Sequence, residues 1–235
     1  MCGRFAQPRS AEELARIFHA RPAAELDGEQ FNVAPTDEVA AVVEHHGERV
    51  VDAFRWGLVP FFAPNARGAA RLINARAETV ERSPAFRTAF ARHRCIVPAD
   101  AFYEWRREHD PATGRTIRSE PFAVRRLDGE PLALAGLWSS WRDPETAARL
   151  YTCTILTTDP NELVARIHDR MPVILDSTDW DAWLAEATPA ADLRALLRPA
   201  PAEPLHAYAV SPAVNNVRNE GPELLAPLSR WSDGL

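Results

Sequence analysis

Residues 38–60 read EVAAVVEHHGERVVDAFRWGLVP, two apolar runs meeting around His46-Gly47-Glu48. Runs of valine and alanine bounded by polar residues read as strands, and the polar centre joins them. Working outward, CIVPADAFYEW (95–105), EPFAVRRL (120–127), PLALAGLW (131–138) and LYTCTILTT (150–158) are further strand candidates, and RLINARAET (71–79) a short one. Helices are fewer. SAEELARIFHA opens on Ser10 as a cap and spaces Leu14, Ile17 and Phe18 for one face. SPAFRTAFARH has Ser83 as N-cap and Pro84 in the first position, and DPNELVARIH, STDWDAWLAEA and ADLRALL are helical candidates. RREHDPATGRTIRSEP (106–121) reads as a polar hairpin loop and LRPAPAEPL (197–205) as a surface linker. No repeat or domain boundary stands out. The expectation is one α+β domain, residues 1–235, around a curled, barrel-like, mainly antiparallel β-sheet with flanking helices.

The 235 residues are 46% hydrophobic, enough for one sizeable core. No run approaches the roughly 18 apolar residues of a membrane span. MCGRFAQPRSAEELARIF lacks the uninterrupted apolar core of a signal peptide, so a cytoplasmic, membrane-free protein is expected, nucleoid-associated if bacterial. Three cysteines without a CxxC pair suggest neither a disulfide framework nor a zinc ribbon. Cys95 and Cys153 sit inside strand-like runs and read as core.

All 27 basic residues are arginine. Without lysine no side-chain amine can form a Schiff base, so any imine chemistry falls to an N-terminal amine. The net charge is -6, yet residues 55–94 carry eight Arg against two Glu. Such a strip suits local phosphate binding on a protein that otherwise repels polyanions. A solvated arginine-rich surface is the plain alternative.

Cys2 raises the sharpest question. Removal of Met1 would leave α-amine and thiol on one residue; otherwise Cys2 simply begins a strand. Four segments put a polar group two positions before an arginine: Cys2-Gly3-Arg4, Asn74-Ala75-Arg76, Glu104-Trp105-Arg106 and His168-Asp169-Arg170. In an extended chain such pairs share a face, about 6–7 Å apart.

The same residues carry a resemblance. MCGRF, FNVAPTDEV (31–39), RWGLVP (55–60), LINARAET (72–79), CIVPADAFYEW (95–105), IHDRMPVIL (167–175) and AVNNVRNEGPEL (213–224) resemble the SRAP family. These are SOS response-associated peptidase-like proteins that attach covalently to abasic sites in single-stranded DNA. The blocks run in order along nearly the whole chain, whereas the stretch 61–71 matches no block.

The resemblance implies a monomeric SRAP-like domain that senses abasic sites and shields them through a thiazolidine on Cys2 in the DNA damage response. It also implies peptidase activity on Met1, by the protein itself or by methionine aminopeptidase, and a lyase-like character. An α-amine with a reference pKa of about 7.7–8.0 is partly neutral at physiological pH and can attack the aldehyde. By resemblance Glu104 transfers protons, His168 stabilises the opened sugar oxygen, and Asn74 orients Cys2 and the aldehyde. Arg4, Arg76 and Arg170 then read as phosphate ligands, with Arg106 set apart because it leads into the polar loop. Trp56 and Trp105 are stacking candidates or core, and strand alternation sends Trp105 to the face opposite Glu104. Pro35 shapes a turn near the site, and Asn32 pins it.

Two rival readings stand beside this one. An N-terminal-nucleophile amidohydrolase of the glutamine amidotransferase type also begins Met-Cys-Gly, but this chain lacks that family's His-x-Arg-Trp segment. A non-covalent single-stranded DNA-binding module would use only the arginines and tryptophans. No metal-ligand spacing, phosphate-cradling glycine loop or nucleotide fingerprint is present, so no metal and no cofactor are expected.

Overall fold

The computed structural model describes residues 2–23, 26 and 29–228. In chain order the elements are β1 (Phe5–Gln7), α1 (Ala11–Ile17), β2 (Arg21–Pro22), β3 (Gln30–Val33), β4 (Glu38–His45), β5 (Glu48–Trp56) and β6 (Asn74–Arg76). Then follow α2 (Arg87–Arg92), β7 (Arg94–Ala99), β8 (Ala101–His109), β9 (Thr116–Arg126), β10 (Leu132–Arg142) and β11 (Arg149–Thr158). The chain continues through β12 (Met171–Pro172), α3 (Trp180–Leu184), α4 (Ala190–Leu196) and β13 (Leu205–Ala209).

The valine-rich hairpin holds as read: β4 and β5 pair from Glu38 with Arg55 to His45 with Glu48. β4 continues onto β7, β7 onto β10 and β10 onto β11, all antiparallel. A parallel contact of β11 with β5, Thr152 opposite Arg55 and Cys153 opposite Trp56, closes the five strands into a barrel. Val39, Val43, Cys95, Leu134 and Ile155 belong to the core inside, and Ala40, Val42, Ile96 and Ala135 to the core shared with helix residues such as Leu14, Phe90 and Trp183. Both faces of these strands are covered, which is why EVAAVVEH shows an apolar run and no polar alternation.

A second sheet runs in the order β13-β9-β8-β1-β3 and lays Phe5, Phe102 and Phe122 on the barrel core. Its other face carries Ala101, Tyr103 and Tyr208 and is covered by the segment around Val214 and Leu224. The α+β, barrel-like fold is therefore as expected. The barrel is mixed, because of the one parallel closure.

Several elements differ in extent. The polar stretch 106–121 is mostly strand: β8 and β9 pair out to His109 opposite Thr116, leaving a tight turn held by Asp110. Backbone pairing prolongs a hairpin beyond its apolar residues. DPNELVARIH forms only a 3-10 turn, Val164–Arg166, started by the Asn161 side chain accepting from the Val164 N–H. SPAFRTAFARH turns at Ser83 before α2 begins, and the segment at 177 is capped by Asp176 and is 3-10 before α3. Of RLINARAET only Asn74–Arg76 is strand, lying parallel on β11, with the Ile73 carbonyl and the Ala77 N–H bonding Ile155 and Thr157 at its two ends. No described helix is long and apolar enough to cross a membrane.

Candidate functional site

The register of β1 on β8, Phe5 opposite Phe102 and Ala6 opposite Ala101, continues as the Tyr103 N–H bonds the Arg4 carbonyl at 2.9 Å. That run carries Cys2 and Gly3 alongside Glu104. Cys2 is fully buried in the barrel core with Trp56 and Ile155. Burial pushes its thiol well above the ordinary range, and the Glu104 charge pushes it further.

Asn74 reaches the same place from β6. Its Nδ2 donates to the Cys2 carbonyl at 2.7 Å. β6 lies parallel on β11, with Asn74 opposite Ile155, Ala75 opposite Leu156 and Arg76 opposite Thr157. Ala75 is buried in the helix-side core, so Asn74 and Arg76 share the other face, as the two-residue spacing required.

His168 comes from the turn after the 3-10 segment. Its Nε2 stands 3.9 Å from Glu104 Oε2. Nδ1 accepts the Arg170 backbone N–H at 3.0 Å, while the exposed Asp169 carboxylate lies 2.9 Å from the same nitrogen. An amide N–H can only donate, so in the neutral ring Nδ1 is the acceptor and the proton sits on Nε2, facing Glu104. Asp169 becomes a partner of Nδ1 only when that nitrogen carries a proton, in the protonated ring or in the Nδ1–H tautomer. Cys2, Asn74, Glu104 and His168 are thus brought together.

The arginines and tryptophans divide. Arg76 is exposed and has no ion pair within 4 Å among the described residues. Arg170 does not offer an open guanidinium. It bonds Glu78, Asp159 at 3.0 Å and the Thr157 carbonyl at 2.8 Å, with its side chain 14% exposed. Arg4 points to the far face of the second sheet, where it donates to Asn32 Oδ1 at 2.7 Å and the Val214 carbonyl at 2.8 Å. Arg106 shares the Glu104 face and pairs with Glu120 at 2.6 Å over the Phe122 ring.

Trp56 is no stacking surface. It is fully buried, its Nε1 donating to the Ile73 carbonyl at 3.0 Å and its ring edge-on to Phe5 at 4.9 Å. Trp105 lies opposite Glu104 as alternation required, half-buried, bonded to Asn215 Oδ1 at 2.7 Å with Arg4 5.9 Å above its ring. Pro35 does form a turn: it precedes Thr36, which holds φ +81°, and Asp37 N–H closes on the Ala34 carbonyl. Asn32 is buried and donates to the Asn216 and Asn219 carbonyls at 3.0 and 2.8 Å.

A profile of the SOS response associated peptidase (SRAP) family matches residues 1–217. The chain belongs to this family. The abasic site processing protein YoqW of Bacillus subtilis (strain 168) is 39% identical over 229 residues, 96% of this chain and 99% of the relative. YedK of Escherichia coli (strain K12), of the same description, is 29% identical over 235 residues, 97% of this chain and all of the relative. The abasic site processing protein HMCES of Gallus gallus is 34% identical over 202 residues, 77% of this chain and 58% of its own. Among solved structures, a Bacteroides thetaiotaomicron protein superposes with a TM-score of 0.86 at 25% identity, covering 97% of this chain and 100% of its own. A Bordetella bronchiseptica protein gives 0.72 at 31% identity, covering 89% and 100%.

In this SRAP chain the structure adds residues that the sequence reading missed. Thr157 is fully buried on the Cys153–Ile155 face of β11, and its Oγ1 has no hydrogen-bond partner among the described residues; Asn74 Oδ1 has none either. The signal was a threonine two places after Ile155, where the alternation calls for an apolar side chain. Phe61 and Phe62 are exposed, 61% and 57%, with their rings edge to face at 5.2 Å. They belong to the stretch that matched no block.

Proposed function

We propose that this protein recognises abasic sites in single-stranded DNA and, once Met1 has been removed, traps them covalently on Cys2. The α-amine adds to the aldehyde carbon of the ring-opened sugar, and one water leaves as the C=N bond forms. The thiol sulfur then adds to the same carbon and its proton passes to the nitrogen, closing a five-membered thiazolidine. The observation that carries this reading is the convergence of a buried Cys2, the Asn74 bond to its carbonyl and the Glu104–His168 pair. The relatives described as abasic site processing proteins support the substrate class.

In this reading Glu104 moves the protons of imine formation, and the Nε2–H of His168 donates to the opened sugar oxygen. Asn74 Oδ1 and the Thr157 hydroxyl take the remaining sugar polar atoms. Arg76 holds a backbone phosphate. Arg4 and Arg170 act from within their own bonded groups, and Arg4 holds Trp105 against Asn32 and the Val214 segment. The stacking role passes from Trp56 to Phe61 and Phe62, since a base–aromatic stack contributes about 1–3 kcal/mol only where a ring face is exposed. Hydrolysis of the Met1–Cys2 peptide bond by the same residues is the peptidase step.

Intact-mass spectrometry before and after mixing with an oligonucleotide carrying one abasic site tests the proposal. The expected result is a chain lacking Met1, then a heat-stable adduct weighing protein plus oligonucleotide minus one water. Cys2→Ser should give only an adduct that needs borohydride reduction to survive. An equally stable adduct from Cys2→Ser, or a processed wild type without adduct, would overturn the chemistry.

A further inference from the structure

Two carboxylates have no role in the chemistry above: Glu78 of LINARAET, and Asp159 just after β11. Both carboxylates meet on Arg170. Its Nη1 bonds Glu78 Oε1 and Asp159 Oδ1, the latter at 3.0 Å, and its Nη2 bonds Glu78 Oε2 at 3.0 Å and the Thr157 carbonyl at 2.8 Å. The fork therefore ties three segments together: the turn after β6, the end of β11 and the turn bearing His168. A bidentate guanidinium–carboxylate pair fixes direction as well as distance, which a lysine would not do. The backbone of Arg170 then completes the chain of contacts by donating its N–H to His168 Nδ1 at 3.0 Å.

We infer that Glu78, with Asp159 and through Arg170, is a positioning residue that holds His168 in the Nε2–H tautomer aimed at Glu104. The ring proton follows from the Nδ1 bond, the Nδ1 bond from the place of the Arg170 amide, and that place from the guanidinium clamp. Loss of the clamp frees the turn, and the ring can then take the Nδ1–H tautomer against Asp169, whose carboxylate stands 2.9 Å from Nδ1. In that state an acceptor nitrogen faces the Glu104 carboxylate, and no proton is available to the sugar. The catalytic consequence rests on the function proposed above; the tautomer does not.

Glu78→Gln keeps the size of the side chain and removes its charge, on a residue whose side chain is 47% exposed, so folding is expected to be kept. Two readouts are taken on the processed full-length chain. Nitrogen-15 NMR of His168 without DNA should show Nε2–H in the wild type and a mixed or reversed tautomer in Glu78→Gln and in Arg170→Lys. The cross-linking rate should fall about tenfold to a hundredfold, the order that a misplacement near 1 Å costs, with unchanged affinity for an oligonucleotide bearing a tetrahydrofuran analogue. Unaltered tautomer populations in both variants would overturn the inference, whatever the cross-linking assay gives. Tighter DNA binding by Glu78→Gln at an unchanged rate would also overturn it and would make Arg170 a phosphate ligand that Glu78 merely masks. A wild type with the Nε2–H tautomer and no adduct would instead count against the proposed function alone.

Discussion

In the proposed reaction Cys2 supplies two nucleophiles, and its surroundings put them in order. Burial and the Glu104 charge both raise the thiol, so near neutral pH it stays protonated while an α-amine is partly free to attack. In the proposed trapping reaction the amine leads and the thiol closes the ring. Glu104→Gln separates these effects. Removing the negative neighbour lifts a like-charge penalty on the thiolate, so the Cys2 pKa should fall while burial still keeps it above that of an ordinary cysteine. A pH titration of the Cys2 carbon-13 β shift reads this directly. The proton transfer proposed for Glu104 is lost in the same variant, and cross-linking should slow by about a hundredfold or more with binding of a tetrahydrofuran analogue kept. Lost binding would make Glu104 structural. Cys2, Asn74, Glu104 and His168 were legible through the SRAP-like blocks that hold them, and the arginine two places after each was only suggestive. Thr157 was not, since a threonine in a β-run is as ordinary as valine. Trp56 could not be judged at all, because its burial depends on Phe5 arriving from the far end of the chain.

At the level of elements, strands announced themselves and their partners did not. The hairpin of β4 and β5 follows from sequence-local turn chemistry, whereas the closure of β11 on β5 joins residues nearly a hundred positions apart and leaves no local trace. The helices were overread in length for a related reason. Apolar spacing that serves one 3-10 turn against a barrel also satisfies the pattern of a longer helix. Packing inside the barrel does leave one mark, Gly136 in β10, between Cys95 and Ile155 on the neighbouring strands. A Cβ there would stand 2.8 Å from Cys95 Sγ, 3.1 Å from the Thr154 carbonyl oxygen and 3.2 Å from Val97. Interior crowding of this kind costs about 1–3 kcal/mol. Gly136→Ala should therefore lower the urea midpoint with the m-value kept, and the double variant Gly136→Ala with Cys95→Ser should not recover it, since the Thr154 oxygen remains. Recovery would place the whole conflict on the sulfur.

For the whole molecule the decisive quantity is the distribution of charge, because its sum is unfavourable for binding a polyanion. The net charge is -6, but the segment 55–94, which brings Asn74 and Arg76 to the site, carries eight Arg against two Glu. Residues 119–235 carry 10 Arg against 17 acids, a net charge of -7 that opposes extended binding of a polyanion. That arrangement favours a short, local contact over long nonspecific binding, and the ion pairs sharpen it further. Arg170 is matched by Glu78 and Asp159, Arg106 by Glu120 and Arg194 by Glu81, whereas Arg76 stands on the site face of β6 with no ion pair among the described residues. Arg76 should then carry a disproportionate share of the electrostatic affinity. Each phosphate contact to a single strand contributes about 0.7 to the slope of log K against log salt. Arg76→Gln should weaken binding of an abasic single strand and flatten that slope by about this amount, with the adduct still forming at saturating DNA. Arg106→Gln, at a side chain that shares Glu120 with Arg118, should flatten the slope less than Arg76→Gln does. Equal flattening by both variants would mean that phosphates sense the summed field of the strip, and an unchanged slope for Arg76→Gln would move the DNA path off β6.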